Sequence, residues 1–308
     1  MDGSATRKTL HLVARLHYES DLSQVEIARR LQLSTATISR LLRRAREEGI
    51  VRIEIRDFVA PEEIRRDLIN ALGLKQAAVV DTVEIGLLDS LAQPVGTLLK
   101  EAGLKDGSVL AIGWGRAVRG VIRAGLPRIP GVITVPATGG IQQAAPHFQI
   151  NEFVRQAAEQ LGGEPKFIFA PYLPAPQYRD AFVSDPAVRE LITLWDHIDV
   201  ALVGVGLPHT VDPIHAGTVT SSERALTHVA GDVIRHYFDE DGTILPWDGN
   251  NSLIAVSPAQ MRAVPLVIGV AVSPAKAKAI IGAVRAKLIN AVVTDVATAE
   301  AILGELQA

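Results

Sequence analysis

Residues 108–118 read SVLAIGWGRAV, an unbroken apolar run that ends in G-x-G and opens into a helix-forming stretch. A strand covered on both faces reads as continuous apolar residues. Glycines at its C-terminal end let backbone amides approach an anion, and the helix that follows adds its positive end. The spacing in GWGRAVRG is G-x-G-x-x-x-x-G, which fails the dinucleotide fingerprint, and no G-x-x-x-x-G-K-[ST] phosphate loop occurs in the chain. The strand–glycine turn–helix unit itself recurs, and that recurrence decides the fold.

Outward from this unit, short β-branched runs predict strands at 77–81, 108–113, 132–137, 166–170, 199–206, 266–272 and 290–294. Helical stretches near 86–102, 115–124, 151–161, 185–195, 274–287 and 296–306 separate several of them. Buried strands alternating with helices predict a doubly wound, mainly parallel α/β domain. Ligands in such sheets sit at the C-terminal strand ends. Here those ends read GWGR (113–116), ATGG (137–140), GVGLPHT (204–210) and SPAK (273–276). Any one glycine loop serves a tight turn equally well; their repetition at strand ends predicts a pocket for an anionic small molecule.

The first sixty residues are built differently. Leu12, Val13, Leu16 and Tyr18 give one helix its apolar surface. In DLSQVEIARRLQLS, Ser23 and Glu26 form an S-x-x-E capping box, and Val25, Ile27, Ala28 and Leu31 supply a buried side. Gln32 and Leu33 make a turn, Ser34 caps a further helix to about Glu48, and Gly49 stops it. Two helices joined by so short a turn are a helix-turn-helix. On the second helix Ile38, Leu41, Leu42 and Ala45 face inward at 100° per residue. Ser34, Thr35, Ala36, Thr37, Ser39, Arg40, Arg43 and Arg44 form the candidate DNA-reading surface. Short residues at the N-terminus permit close approach, Arg40 suits a guanine edge, and Arg43 and Arg44 suit phosphates. A solvated basic helix in an ordinary bundle would show the same face; the capped helix before it and the turn length favour the DNA reading. The alternating VRIEI (51–55) predicts a short strand, either a wing beside DNA or a cover strand. PEEIRRDLINALGL (61–74) predicts a linker helix.

Charge supports this division. Residues 1–60 hold 11 Lys+Arg and 8 Asp+Glu, while the whole chain of 308 residues has 31 and 34 and a net charge of −3. A basic head on an acidic body predicts that only the head meets a polyanion. The absence of cysteine excludes disulfides, thiolate zinc sites and a thiol nucleophile. His209 and His215 alone give a poor metal signal, and no metal or cofactor is expected. No apolar run approaches a spanning helix and no secretory leader is visible, which predicts a cytoplasmic protein.

Several stretches together resemble the SorC-type (SorC/DeoR-like) sugar-binding transcriptional regulators of bacteria. They are SQVEIARRLQLSTATISRLLRRAREEGIVRIEI (23–55), IGWGR (112–116), VPATGG (135–140), DVALVGVG (199–206), GDVIRHYFDEDG (231–242), VAVSPAKAKAI (270–280) and INAVVTDVATAEAIL (289–303). The resemblance implies a winged or sigma-like helix-turn-helix joined to a phosphosugar-isomerase-like effector domain. It implies dimers and tetramers on operators of carbohydrate operons, expected here to be palindromic, with a sugar or sugar phosphate changing the assembly or its DNA affinity. The expected division is 1–58 for the DNA-binding domain, 59–75 for the linker helix and 76–308 for the effector and oligomerisation domain. By position, Thr138, Gly139 and Gly140 look like part of a phosphate cradle, Asp232 like an acceptor of sugar hydroxyls, and Lys276 like the family lysine. Gly113, Trp114, Gly115 and Arg116 form a further expected wall of the pocket. The family commonly has VAGG where this chain has VAVS (270–273), and the added bulk would reshape that side.

A repressor controlled by such an effector is the leading expectation. The alternative is a sugar-phosphate isomerase-like enzyme with a DNA-binding head, using Asp232 and Lys276 as acid and base. A purely structural DNA-bridging protein fits a body this large and glycine-looped poorly.

Overall fold

The computed structural model describes residues 3–51, 61–81, 87–140, 149–208 and 220–307. The chain divides into two compact units, Met1–Phe58 and Val59–Ala308.

Three helices of the first unit are described: α1 (Gly3–Tyr18), α2 (Gln24–Leu31) and α3 (Thr35–Glu47). The Ser23 hydroxyl accepts from the Glu26 amide while the Glu26 carboxylate accepts from the Ser23 amide, completing the capping box. Gln32 takes a left-handed φ of 54° and turns the chain into α3, which Ser34 caps. Val13, Ile27, Ala28, Ile38 and Leu42 form one buried cluster, and Leu10, Ala14 and Ala45 another, with Leu41 touching both. Val25, expected to be buried, is exposed, as are Leu12 and Tyr18. The strand expected over 51–55 lies, beyond Val51, outside the described residues.

The second unit opens with α4 (Pro61–Leu72), whose Ile64 and Leu68 join the main core. Then follow β1 (Gln76–Val80), α5 (Leu87–Ser90), α6 (Ala92–Glu101), β2 (Val109–Ile112), α7 (Arg116–Ala124), β3 (Ile133–Pro136), α8 (Ile150–Leu161) and β4 (Glu164–Pro165). After α9 (Pro176–Ser184) and α10 (Pro186–Leu194) come β5 (Ile198–Gly204), α11 (Ser221–Arg224), β6 (Gly231–Val233) and β7 (His236–Phe238). The chain ends with α12 (Pro258–Ala263), β8 (Leu266–Val270), α13 (Ala277–Arg285), β9 (Ala291–Asp295) and α14 (Val296–Gln307).

Seven strands make one sheet in the order β1-β9-β8-β5-β2-β3-β4, and every pairing in it is parallel. No residue of β2 or β8 is exposed, so both sheet faces are covered there. After β2 the chain builds outward through β3 and β4. It then returns, lays β5 on the other side of β2, and builds the opposite way through β8 and β9. The order therefore reverses between β2 and β5, and a crevice opens at the strand ends where it does so.

The structure departs from the expectations at four places. KFIFA (166–170) is not a strand, since β4 stops at Pro165. Lys166 still donates to the Thr134 carbonyl, but the Ile168 amide and carbonyl are both bonded by the Asn151 side chain. A side-chain amide thus takes the place of a ladder, and Phe169 is left 79% exposed. Helix α9 was not foreseen, and the 86–102 stretch contains two helices rather than one. The fourth is the β6–β7 hairpin, read from the sequence only as a motif.

Candidate functional site

Trp114, Gly115, Arg116, Ala117, Thr138, Gly204–Leu207, Asp232, Ile234, Arg235, Val270 and Lys276 line one cleft. Its empty space is about 820 Å³, open solvent at the mouth included. It lies where the topology puts the crevice, since GWG follows β2 and Gly204–Leu207 closes β5. Helix α7 begins at Arg116 in the lining, so its positive end adds roughly half an elementary charge of favourable potential for an anion.

Six residues picked from sequence meet here: Trp114, Gly115, Arg116, Thr138, Asp232 and Lys276. Trp114 also packs against the main core. Gly113, Gly139 and Gly140 are not in the lining. A side chain on Gly113 would press on Val203 at 3.0 Å, so this glycine lets β2 run close to β5. The Gly139 and Gly140 amides donate to the carbonyls of Ile254 and Ala170, and a Cβ on Gly139 would meet the Pro171 backbone at 2.7 Å. Gly139 thus lets one backbone cross another, and from this stretch only Thr138 is in the lining.

The β6–β7 hairpin carries the opposite wall. Gly206 and Asp232 exchange backbone hydrogen bonds, which fixes the hairpin to the end of β5. A Cβ on Gly206 would fall 2.0 Å from an Asp232 carboxylate oxygen. The hairpin turn is Ile234-Arg235, with φ of 44° and 68°. Two positive φ values make a tight hairpin turn whose preferred residues are Asn and Gly. A β-branched residue there is strained, and each such position costs about 1–3 kcal/mol.

Behind the turn, Arg235 Nη1 donates to Glu223 at 3.2 Å and to the Tyr237 hydroxyl at 3.3 Å, and the guanidinium lies over the Tyr172 ring. Tyr237 in turn donates to the same Glu223 oxygen at 2.8 Å. The Arg235 and Glu223 side chains are 8% and 0% exposed. Burial opposes the Arg235 charge, but Tyr237, Asp232 and Glu223 more than offset it, and its pKa lies above the ordinary arginine value. Burial likewise pushes the Tyr237 hydroxyl far above its usual range. Next to it, burial holds His236 below the ordinary histidine value, where Nε2 donates to the Val256 carbonyl.

On the β8 side, Lys276 Nζ donates to the Val205 carbonyl oxygen at 2.7 Å. Ser273, three residues earlier, sits at φ 126°, a conformation suited to glycine. Its amide donates to the Thr298 hydroxyl at 2.7 Å, and neither it nor Val272 lines the cleft. The serine of VAVS thus occupies a glycine-like backbone. Sequence reasoning missed Ile234 and Arg235, because no turn-forming dipeptide marks the hairpin.

In the first unit, Ser34, Thr35, Ala36, Arg40, Arg43 and Arg44 are exposed on α3, with Thr37 and Ser39 half-buried at the edge. The Ser34 hydroxyl accepts from the Thr37 amide, and Arg44 Nε donates to Glu48 at 2.6 Å. His209 and His215 lie outside the described residues. Among the described residues no group of three His, Asp or Glu side chains could hold a metal, and no helix is long and apolar enough to cross a membrane.

Residues 56–304 match the Sugar-bind family, a sugar-binding domain, and residues 6–52 match a winged helix-turn-helix DNA-binding family. The chain is 33% identical to the sorbitol operon regulator of Klebsiella pneumoniae, covering 98% of this chain and all of that one. The chain belongs to the SorC family. A second relative, the deoxyribonucleoside regulator of Bacillus subtilis, is 29% identical over 95% of this chain and 96% of its own. The crystal structure of the full-length Klebsiella pneumoniae SorC superposes with a TM-score of 0.73 at 32% identity, covering 98% of this chain and all of that one. In this SorC-family chain the helix-turn-helix match falls on the unit with the basic α3 face. The sugar-binding match covers the unit that holds the cleft.

Proposed function

We propose that the chain is a DNA-binding repressor of a carbohydrate operon whose grip on its operator is controlled by a sugar or sugar phosphate bound in the sheet-end cleft. One observation carries this reading: an exposed basic recognition helix and a sheet-end cleft whose charged lining residues are mostly cationic sit in separate units of one chain. Residues 1–58 form the DNA-binding part, 59–75 the linker and 76–308 the effector and oligomerisation part. Ser34–Thr37 and Ser39 approach the groove, Arg40 reads a base edge, and Arg43 and Arg44 hold phosphates. In the cleft, Asp232 accepts from sugar hydroxyls, while Lys276, Arg116 and the start of α7 face the anionic end. Trp114 and Gly115 shape the wall between them, and Thr138 adds a hydroxyl.

The relatives are named as regulators, which supports a sensor rather than a catalyst. A palindromic operator requires two heads, so the working form is a dimer or tetramer, and it acts in the cytoplasm where the chromosome is. The effector controls DNA affinity only to the extent that it binds one arrangement of the heads better than the other.

Footprinting on the DNA upstream of the chain's own operon tests this. A protected palindrome, bound in a salt-sensitive manner and weakened by one sugar or sugar phosphate, is the expected result. No protected palindrome, or protection indifferent to every sugar tried, overturns it.

A further inference from the structure

The seven-stranded sheet has two edges, β1 and β4. Edge strands carry backbone groups ready to pair with another chain, and proteins blunt them with short strands, prolines or covering groups. Edge β4 is blunted in each of these ways. It is two residues long, the second is Pro165, and the Asn151 side chain occupies the Ile168 backbone just beyond. Edge β1 has none of these devices. It runs five residues, QAAVV, without proline or charge. The Lys75 amide donates to the Asn290 carbonyl, so alternation turns the backbone groups of Ala77 and Val79 to β9 and those of Gln76, Ala78 and Val80 outward. Among the described residues, those three make no backbone hydrogen bond on the outer side. Only Ala77 of the strand is buried.

The flanking residues select the partner. Lys75 and Asp81 are exposed and of opposite sign. Each lies three residues from Ala78. A second β1 laid antiparallel about a twofold axis through Ala78 therefore sets Lys75 opposite Asp81 at both ends. The same axis sets Gln76 opposite Val80, so the outward groups of one strand meet those of the other. A parallel partner in register would set like charges opposite each other, and a slipped one would leave the charges unmatched. Lys75 Nζ donates to the Pro265 carbonyl oxygen at 2.7 Å, which aims the ammonium and leaves it donors for a carboxylate.

We propose that β1 is a docking edge for a second copy of this chain, the two β1 strands pairing antiparallel about Ala78 so that two sheets become one. Lys75 of each copy faces Asp81 of the other. Helix α4, which packs on β1, widens the contact toward the area a stable dimer needs. An isologous contact of this kind closes on itself at two copies. No residue of β1 is in the cleft lining, and the inference goes beyond the reading of that cleft as a sensor.

The test uses the full-length chain, which has no cysteine, so introduced thiols report alone. In the proposed register positions 75 and 81 form a non-hydrogen-bonded pair with Cα atoms about 4.5 Å apart, within the range a disulfide spans. Within one copy the same positions are about 20 Å apart along the strand and cannot be joined. Lys75→Cys/Asp81→Cys is therefore expected to give a covalent dimer on mild oxidation, and either single substitution none. Sedimentation of the unaltered chain should show association. Lys75→Glu or Asp81→Lys should weaken it about tenfold, and the two together should restore it, because both end pairs change sign at once. Lys75→Glu also loses its bond to Pro265, so the cysteine result serves as an independent readout. An associated chain whose double cysteine variant yields no more covalent dimer than the single variants overturns the inference and leaves the operator reading standing. So does association indifferent to the charge reversals. A chain that stays monomeric at every concentration overturns both.

Discussion

Lys276 reaches across the cleft and donates its Nζ proton to the Val205 carbonyl oxygen at 2.7 Å, joining the start of α13 to the end of β5. An ammonium has donors for more than one acceptor, so this bond aims the charge and still allows a ligand oxyanion to share it. Replacement by methionine keeps the stem and removes the charge. A ligand present at 100 times its Kd stabilises by about 2.7 kcal/mol. Lys276→Met should lose that stabilisation in a thermal-shift titration, with operator affinity in the absence of sugar unchanged.

Arg40 and Arg44 should separate in their effects on DNA. Arg40→Ala is expected to relax sequence specificity, costing about 1–3 kcal/mol on the cognate site and little elsewhere. Arg44→Ala should weaken all sequences alike and reduce the salt slope by about one. Arg44 is shared with Glu48, an exposed i,i+4 pair that is worth only a few tenths of a kcal/mol and yields readily to a phosphate. Anisotropy titrations on operator and scrambled DNA at several salt concentrations decide between these outcomes.

Ser273 is held at φ 126°. Ser273→Gly relieves strain of about 1–3 kcal/mol but gains unfolded-chain entropy worth about 0.5–1. The balance predicts a more stable protein by roughly 1 kcal/mol, a rise in Tm of about 2–4 °C for a domain of this size. Calorimetry measures it, and an unchanged or lower Tm would show that the backbone is comfortable there.

His236 carries a pH dependence. Burial lowers its pKa in the folded state, so the unfolded chain takes up a proton first as the solution is acidified. Its contribution to stability is complete above the ordinary histidine value of about 6.5 and falls as pH drops below it, by at most about 1.4 kcal/mol per pH unit. Urea titrations between pH 5 and 8 should show this slope, and His236→Gln should flatten it.

The sheet was legible because strands such as VLAI and LVIGV are short continuous apolar runs between helical stretches, the pattern of a covered parallel strand. The head was legible from its caps, since Ser23 with Glu26 and Ser34 declare where helices begin. Trp114, Gly115, Arg116, Thr138 and Lys276 lie at strand ends that the sequence marks, whereas Asp232 followed only from the family resemblance. What stayed hidden depends on long-range closure. Ile234 and Arg235 carry no local turn signal, and their conformation is imposed by the pairing of Asp232 with Gly206 and of Arg235 with Glu223. Gly139 is the opposite case, because a glycine wanted for crossing backbones reads the same in sequence as one wanted for a ligand. KFIFA misled because its run of Phe, Ile and Phe reads as a strand while the Asn151 side chain takes the place of a neighbouring strand.

The sheet's first strand has a late partner. Within the sheet β1 pairs only with β9, Gln76 opposite Ala291, and α4 packs on α14 at the end of the chain. On the ribosome the helix-turn-helix leaves the tunnel whole, while the base of the effector unit waits for roughly two hundred further residues, some ten to forty seconds of synthesis. A nascent chain therefore carries a finished DNA-reading head before it owns a finished sensor. A premature stop that removes β9 and α14 would leave that state permanent, a head with no intact sensor to restrain it.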